Sequence, residues 1–552
     1  MNINTLKFLS VIIFVSIINA LPINHEFRAS WVITWEYISA TQTSGETMAR
    51  IDEIMENHSQ ANMTAVFFQA RQSGTSYYNS SFEPWGYHTG YTNPGFDPLE
   101  YAIEAAHDRG LELHAWFNVF QASSMHEGAP AQVHPEWVCR DRDGEPMASN
   151  RSLSPGLESV RDYTIDVAME IVNNYDIDGL HLDYVRWNEY SNNSLSNLPE
   201  NQIEEIHMID GIISDEALAV IEDTRTGRYL YDIDHPYSGG VPDDFSNWEE
   251  WWRSGVTTFV SDLHDSIQIV KPHVRLSAAV LGRYNWGGWQ GYGTVYQDGA
   301  LWLNEGFVDQ LTPMHYHWTT PTSFVQMLSG SNESWSPYIQ QGINQGRLFT
   351  AGPGSYVLAE QNLWNNHNGI VNAVRNIQFV DGFQFFSNGT WEDYQYWEEA
   401  GHTFFKDKSI VRNITEYENN SESPPNPSAI LNQINELEYQ INISTNSQDE
   451  PIWTTVSLIP SDSAGVSQKI YSTHFSSGDI IAPLNFDGLQ LYEGTYDVLI
   501  QNYNRFWVGS ESIAEVTTEI VPSFPPTLVN LNFEQNDTLA ANVMIQFEFS
   551  KK

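Results

Sequence analysis

An acidic side chain closes the short apolar run Gly179–Asp183 (GLHLD). If this run is a β-strand, its side chains alternate between two faces, so His181 and Asp183 share one face and the two leucines share the other. A carboxylate at the end of a buried strand is costly unless it is paired or reaches solvent. Asp183 is therefore either a reactive group, able to act as a nucleophile or a base, or the partner of a cation such as Arg186.

Polar and aromatic side chains recur in three other apolar runs. His114, Trp116 and Asn118 alternate in one run, Gln69 and Arg71 in a second, and rings crowd the end of a third (MHYHW, 314–318). A single inward histidine is more often a satisfied core group. A wall that mixes hydrogen-bonding groups with rings nevertheless suits a carbohydrate, whose hydroxyls need partners and whose C–H faces pack on rings. The predicted ligand contacts are Gln69, Arg71, His114, Trp116, Asn118, His181, Arg186, His315 and Tyr316.

These runs belong to a repeated alternation of strands and helices. Short apolar runs are typical of strands buried on both faces, and the segments between them carry apolar residues at helical spacing. The order predicts a (β/α)8 TIM barrel, in which the residues that act lie at the C-terminal ends of the strands. The predicted strands are Arg28–Ile33, Thr64–Ala70, Leu111–Phe117, Asp178–Tyr184, Val274–Val280, Val308–Met314, Leu348–Ala351 and Asp381–Ser387, and the main helices are Met48–Gln60, Pro98–Arg109, Ser159–Asn174, Trp248–Val270 and Leu363–Ile377.

The chain divides into a barrel, a linker and a smaller C-terminal domain. The barrel is assigned to residues 21–412, with a long insertion at about 187–247 that should lie at the mouth. Residues 413–428 are polar and rich in proline, as in a linker. Alternating runs over residues 429–552 predict an Ig-like β-sandwich, in which Leu431–Ile441 is compatible with either helix or strand.

The first residues predict export. Lys7, the apolar run Phe8–Ile18 and the following Asn19-Ala20 are typical of a signal peptide over residues 1–20. The run is too short to span a membrane, which takes about 20 apolar residues, and no later run qualifies. Because no cysteine follows it for lipidation, a secreted or periplasmic protein without a transmembrane anchor is expected.

Composition and charge exclude several classes of protein. Asp and Glu number 70 against 25 Lys and Arg, which gives a formal net charge of -45 and disfavours nucleic-acid binding. The single cysteine, Cys139, permits no disulfide within the chain and no zinc site built on several thiolates. His114, His181, Asp183 and a histidine of the MHYHW run could in principle bind a divalent ion, but no HExxH motif supports this alternative. We therefore expect neither a metal nor another cofactor.

Several long blocks of the sequence resemble one known family. FRASWVITW, PGFDPLEYAIEAAHDRGLELHAWFN and SPGLESVRDYTIDVAMEIVNNYDIDGLHLDYVRW are similar to blocks of the glycoside-hydrolase-like family ten proteins (domain of unknown function 187), and the resemblance covers about residues 27–390. It implies a barrel, an exported location and hydrolysis of glycosidic bonds in a glycan, with bacterial cell-wall glycan among the substrates. The similar α-amylase-like barrels carry a nucleophilic Asp at the end of strand four, which falls on Asp183.

The resemblance fails at the expected second carboxylate. Glycoside hydrolysis needs two carboxyl groups, about 5–5.5 Å apart for retention and about 6.5–9.5 Å apart for inversion. The α-amylase-like acid would end strand five, where this chain has AAVLGRYNWGG and no carboxylate. Glu36, Glu83, Glu360 and Glu392 are the candidates, and Glu36 is favoured because Trp35 and Tyr37 beside it could raise its pKa.

Two hypotheses from different classes follow. The first is an exported glycoside hydrolase of a polysaccharide or oligosaccharide, with Asp183 and Glu36 as its catalytic carboxyls. The second is a non-catalytic glycan-binding or envelope-scaffold protein on a hydrolase fold, which the missing strand-five carboxylate favours. A metal-dependent hydrolase is the third and weaker alternative.

Overall fold

Eight parallel strands close into a barrel, which confirms the predicted fold class. The computed structural model describes residues 25–141, 143–146, 152–187, 230–435, 438–461, 469–485 and 494–520, so the predicted signal peptide and residues 188–229 of the predicted insertion lie outside the described residues. Each strand pairs with the next along the chain, and β1 pairs with both β2 and β8 to complete the ring. The strands are β1 (Phe27–Val32), β2 (Ala65–Gln72), β3 (Glu112–Asn118), β4 (Gly179–Asp183), β5 (Arg275–Leu281), β6 (Gln310–His315), β7 (Leu348–Pro353) and β8 (Gly382–Phe385).

The alternation predicted for β4 is present in the structure. Leu180 and Leu182 pack in the apolar layer between the strands and the helices, whereas His181 points into the barrel and contacts Trp31. Gly179 faces the interior as well, and a Cβ at this position would lie 2.1 Å from His114 Nδ1. The interior side chains therefore leave room only for glycine at the start of β4.

Helices surround the strands, and the five predicted ones are present with small shifts at their ends. Three of the five start at a side-chain cap, at Thr43, Asp97 and Asn247, where the side chain accepts at least one backbone amide of the first turn. The longer helices are Ser44–Gln60, Pro98–His107, Glu158–Asn174, Trp248–Val270, Pro321–Ser329 and Asn366–Val374; shorter ones are Thr34–Tyr37, Pro130–Val133, Gly299–Asn304, Gln340–Asn344, Ser355–Glu360, Asn388–Asp393, Trp397–His402 and Thr415–Glu418.

The C-terminal region forms two antiparallel sheets, which confirms the predicted sandwich. The segment Leu431–Ile441, compatible with helix or strand, forms parts of two paired strands. The predicted strands at 526–533 and 542–549 lie outside the described residues. One sheet contains β9 (Ser428–Gln433), β10 (Glu438–Ser444) and β13 (Ile480–Asn485); the other contains β11 (Ile452–Pro460), β12 (Lys469–Ser476), β14 (Gly494–Tyr503) and β15 (Ala514–Ile520).

The sandwich packs against the N-terminal end of the barrel through buried polar contacts. Trp507 is buried, stacks on Trp453 at 5.1 Å, and donates its indole N–H to Glu112 at 2.6 Å. Burial alone would raise the pKa of Glu112, but the Arg275 guanidinium and the contact with His114 hold it well below its usual value. Trp507 therefore covers a buried charged group at the base of the barrel, and the sandwich supports the barrel directly.

Replacing Trp507 should destabilise the whole chain. Trp507→Ala removes a buried ring and leaves the Glu112 carboxylate short of one donor, so the free energy of unfolding should fall by about 3–5 kcal/mol. Urea unfolding of the full chain measures this loss, and Phe506→Ala, at the adjacent half-buried ring, is the control with a smaller loss. An unchanged unfolding midpoint for Trp507→Ala would show that the sandwich does not support the barrel.

Candidate active site

A cavity of about 970 Å³ opens at the C-terminal ends of the barrel strands. Every strand, or the segment that follows it, contributes to the wall, as expected for a TIM-barrel ligand site. The lining residues include Trp31, Ile33, Trp35, Glu36, Arg50, Gln69, Trp116, Asn118, Asp183, Tyr184, Arg186, Trp187, Ala279, Tyr316, Tyr356, Glu360, Phe386, Ser387, Gly389, Glu392 and Asp393.

The barrel interior below this cavity is filled by a neutral histidine and its partners. The Trp31 indole donates to His181 Nε2 at 2.9 Å, which leaves Nδ1 to donate to Ser277 Oγ at 2.8 Å. Burial and the neighbouring His114 hold the pKa of His181 well below its usual value. His181 has no exposed surface, so the predicted ligand contact is corrected: it is a packing residue under the cavity.

Asp183 is the last residue of β4 and reaches the cavity, one position nearer the mouth than His181. Its side chain is 8% exposed, and its Oδ1 accepts the Tyr184 amide at 2.7 Å. Tyr184 has a φ of +50°, a strained value for an aromatic residue, directly after the acidic one. The Arg186 guanidinium lies 4.5 Å from the Tyr184 ring centre and also lines the cavity. An ion pair between Asp183 and Arg186 stays a prediction.

Glu36 lines the same cavity from the short helix after β1. Its Oε2 accepts the Ile33 amide at 3.0 Å, and its Oε1 accepts Ser387 Oγ at 3.1 Å and the Gly389 amide at 2.9 Å. A Cβ on Gly389 would lie 2.6 Å from Oε1, so glycine permits this approach. Glu36 is partly buried, and this loss of solvation raises the pKa of its carboxyl to about 7 even though these hydrogen bonds lower it. The carboxyl therefore holds a proton for much of the time at neutral pH.

The cause of this raised pKa differs from the predicted one. Trp35 is 57% exposed and shields little, while the Tyr37 ring turns away to stack on Phe68 at 4.2 Å. The segment that follows β8 packs on the carboxyl instead and removes it from water, although the hydrogen bonds from Ser387 and Gly389 by themselves lower the pKa.

The two carboxyls line one cavity, above two strands whose side chains meet inside the barrel. Trp31 of β1 touches His181 of β4 at 2.9 Å across the barrel. Ile33 and Asp183 each lie two residues nearer the mouth, and two residues along a strand return to the same face. The Ile33 amide, just after β1, donates to the Glu36 carboxyl. Glu36 therefore lines the cavity next to the end of β1, and Asp183 lines it at the end of β4.

The other acidic candidates differ in their partners. Glu83 is buried and forms an ion pair with Arg71 at 2.6 Å, away from the cavity. Glu392 lines the cavity but pairs with Arg50 at 2.5 Å. Glu360 and Asp393 also line it. β5 contributes Ala279 to the cavity wall, and no carboxylate. The acid that α-amylase-like barrels carry at the end of strand five is therefore missing in the structure as well.

Five of the predicted ligand contacts line the cavity, namely Arg186, Gln69, Trp116, Asn118 and Tyr316. Gln69 Oε1 accepts the Thr34 amide at 3.1 Å. Within the described residues, Trp116 Nε1 and Asn118 Oδ1 are buried without a hydrogen-bond partner. Since buried polar atoms are normally satisfied, we expect this donor and this acceptor to find their partners in a bound ligand.

Three other predicted contacts are corrected. A β-bulge after Gln69 puts Arg71 in register with Phe117 on the outer face of the sheet, where it is fully buried against Glu83. His114 lies at the base of the barrel, with Nε2 3.0 Å from Glu112. His315 is fully buried on the outer face, where its Nδ1 accepts the Gly352 amide at 3.1 Å.

Sequence reasoning missed several cavity residues. Tyr184 directly follows Asp183 and Trp187 lies four residues after it (DYVRW), so the aromatic signal was available. Asp393 stands next to the candidate Glu392 and was equally visible. Arg50 lies on the outer helix Ser44–Gln60 and reaches the rim through its long side chain, for which spacing gives no signal.

The described residues contain no group of three or more His, Cys, Asp or Glu side chains placed to hold a metal ion. The acidic residues near Asp143-Gly144 form a turn: Asp141 Oδ1 accepts the amides of Asp143 and Glu145. Cys139 is buried, and burial raises the pKa of its thiol well above the usual value, so it is not a candidate nucleophile.

Comparison with known proteins gives matches over the barrel. The family model described as Glycosyl hydrolase-like 10 matches residues 26–346. The chain is 26% identical to glycosyl hydrolase YngK of Bacillus subtilis (strain 168) over 322 residues, which are 53% of this chain and 54% of that protein. It is 24% identical to glycosyl hydrolase DigH of Escherichia coli (strain K12) over 329 residues, 52% of this chain and 65% of that protein. It thus spans about half to two-thirds of these relatives.

A solved structure, the PgaB (BpsB) glycoside hydrolase domain from Bordetella bronchiseptica, aligns with 71% of this chain and 100% of its own. The sequence identity is 14% and the TM-score is 0.44, a likeness too low to support an argument about the site.

Proposed function

Since the chain belongs to the glycosyl hydrolase-like 10 family, we propose that it is an exported glycoside hydrolase that cleaves a polysaccharide or cell-wall glycan by a two-carboxylate mechanism. Asp183 acts as the nucleophile or base, and Glu36 acts as the general acid. The family and the barrel supply a glycosidase-type scaffold, while the proposed chemistry rests on the residues of the cavity.

One observation carries the proposal: a carboxyl with a pKa raised to about 7 faces the same cavity as a second carboxyl at the end of β4. A glycosidase needs one carboxyl that keeps its proton and another that acts as a base or nucleophile. The burial of Glu36 supplies the first, and Asp183 supplies the second.

The reaction follows from these two roles. Glu36 gives its proton to the glycosidic oxygen as the bond to the anomeric carbon breaks, so the leaving sugar departs as a neutral alcohol. Asp183 then either bonds to the anomeric carbon, for later hydrolysis, or removes a proton from a water that attacks it. In both cases the Asp183 charge stabilises the positive charge that develops on the sugar ring.

Replacing Trp116 tests whether the predicted ligand wall contacts the substrate. Trp116→Phe keeps a ring in place but removes the unpartnered indole N–H, so KM for the cleaved glycan should rise by about two- to tenfold, as for one lost hydrogen bond. The melting temperature should fall only slightly, because the smaller phenyl ring fills most of the buried space of the indole and no protein hydrogen bond is lost. An unchanged KM would show that the indole N–H does not meet the substrate.

Export is part of the proposal and rests on the first residues of the sequence. Among the described residues, no helix is long and apolar enough to cross a membrane. N-terminal sequencing of protein recovered from outside the cytoplasm should begin just after Ala20. Recovery of an uncleaved chain from the cytoplasm would overturn this part of the proposal.

A panel assay separates the hydrolase from its non-catalytic rival. Purified protein is incubated with bacterial and plant polysaccharides, and both the release of reducing ends and the retardation of the protein in gels containing each polymer are measured. The proposal expects reducing ends from at least one polymer. Retardation of the protein without release of reducing ends would favour the glycan-binding or scaffold protein. The observation that supports this rival is Ala279, which lines the cavity on β5, the strand that carries the acid in α-amylase-like barrels.

A further inference from the structure

A row of rings leads from the cavity rim onto the outer surface, and we call it the rim strip: Trp35, His88, Tyr87, Tyr91 and His126. Consecutive ring centres along it are 5.9, 5.2, 6.1 and 3.9 Å apart, and the last two rings are parallel to within 3°. Trp35 also lines the cavity, so the strip is continuous with the candidate active site.

The rim strip lies on the surface. Trp35 is 57% exposed and Tyr87 is 68% exposed, while the other three rings are partly buried. Tyr, Trp and His rings present an apolar face and a polar edge, the combination that a sugar ring meets with its C–H face and its hydroxyls. Contiguous exposed rings of this kind are typical of binding surfaces.

Buried polar groups fix the segment that carries Tyr87, His88 and Tyr91. The Arg71–Glu83 ion pair, at 2.6 Å, has no exposed surface and holds the start of the segment against the barrel. Glu170 accepts Ser80 Oγ and the Ser81 amide, both at 2.6 Å.

A second set of contacts fixes the backbone beside the rings. Tyr77 OH accepts the His88 amide at 3.3 Å, and a Cβ on Gly86 would lie 2.3 Å from the Tyr77 ring. The backbone that carries Tyr87 and His88 is therefore fixed before any ligand arrives, which lowers the entropy lost on binding. This gives Arg71 and Glu83 a positioning role.

We propose that the rim strip is a binding site for a glycan chain that continues outward from the cavity, so that the enzyme prefers a polymer longer than the cavity itself holds. The inference rests on the proposed function, because Trp35 joins the strip to the cavity in which hydrolysis is proposed. The strip consists of rings without a carboxylate or a Lys or Arg, so it selects a glycan by stacking and hydrogen bonding rather than by charge.

Binding and hydrolysis test this inference separately. In an Asp183→Asn background, which blocks hydrolysis, Tyr87→Ala and Tyr91→Ala are compared by retardation in gels containing hydroxyethyl cellulose, xylan, glycol chitin or cell-wall glycan strands. Each substitution should weaken binding of the retarding polymer by about three- to tenfold. Phe82→Ala is the matched control, because Phe82 is 42% exposed on the same segment but its ring contacts Tyr163 and not the rim strip.

With Asp183 intact, the two tyrosine variants should hydrolyse a short oligosaccharide at the wild-type rate and the polymer with a raised KM. The inference is overturned if the tyrosine variants bind the polymer as tightly as the Phe82 control, if short and long substrates are affected equally, or if no polymer retards the parent protein. A different result is possible: the tyrosine variants lose polymer binding while Asp183→Asn hydrolyses the polymer at the wild-type rate. That result would support the rim strip as a binding site and contradict the proposed catalytic role of Asp183.

Discussion

Asp183→Asn is expected to lower kcat by about 10³- to 10⁵-fold while KM changes little. Asparagine has nearly the same shape as aspartate but is neutral and cannot attack the anomeric carbon, accept a proton from water or balance the positive charge on the sugar. The measurement is the release of reducing ends at saturating concentrations of the glycan found by the panel assay.

Asp393→Asn is the matched control for this loss. Asp393 lines the same cavity and undergoes the same loss of charge, but the mechanism gives it no role, so its kcat should stay within about tenfold of wild type. If Asp183→Asn turns over as fast as wild type, the assignment of the β4 carboxylate is wrong.

Glu36→Gln is expected to lower kcat by about 10²- to 10⁴-fold for a natural glycan. Glutamine can keep the contacts to Ile33 and Gly389 in part, but it has no acidic proton for the glycosidic oxygen. The loss should be much smaller for an aryl glycoside with a good leaving group, because such a group departs without protonation. Comparing kcat/KM for the two substrate types separates lost acid catalysis from lost folding.

Glu360→Gln is the control for the general acid, since Glu360 also lines the cavity and was a candidate from the sequence. For Glu360→Gln, kcat/KM on both the natural glycan and the aryl glycoside should stay within about tenfold of the wild-type values. The opposite pattern, with Glu360→Gln impaired on the glycan alone and Glu36→Gln active, would transfer the acid role to Glu360.

The sequence was sufficient to predict the barrel and the placement of Asp183. All eight predicted strands are present, because strands buried on both faces leave apolar runs that local composition reveals. The two-residue alternation also predicted correctly that His181 points inward and that Leu180 and Leu182 point outward.

Two of the four corrected contacts arose where this alternation is broken or ends, and the other two, His114 and His181, point inward but lie below the cavity. The bulge after Gln69 shifts Arg71 to the outer face, and nothing in the local sequence signals the extra residue. His315 and Tyr316 are consecutive, so they point to opposite faces, and only Tyr316 reaches the mouth. Predicting both as ligand contacts ignored that constraint.

The environment of Glu36 could not be derived locally. The groups that cover its carboxyl, Ser387 and Gly389, lie more than 350 residues away in the sequence and come close only because β8 pairs with β1. Its neighbours Trp35 and Tyr37 suggested the right direction for the pKa shift but the wrong cause. A pKa depends on the folded surroundings, which closure of the barrel determines.

The pH dependence of kcat/KM for wild type and Glu36→Gln tests the central claim most directly. Because burial raises the pKa of Glu36 to about 7, the wild-type rate should fall as the pH rises through about 7, where the acid loses its proton. In Glu36→Gln this basic limb should be absent and the residual rate should stay level over the same range. A basic limb near pH 7 that persists in Glu36→Gln would contradict the assignment of Glu36 as the general acid opposite Asp183.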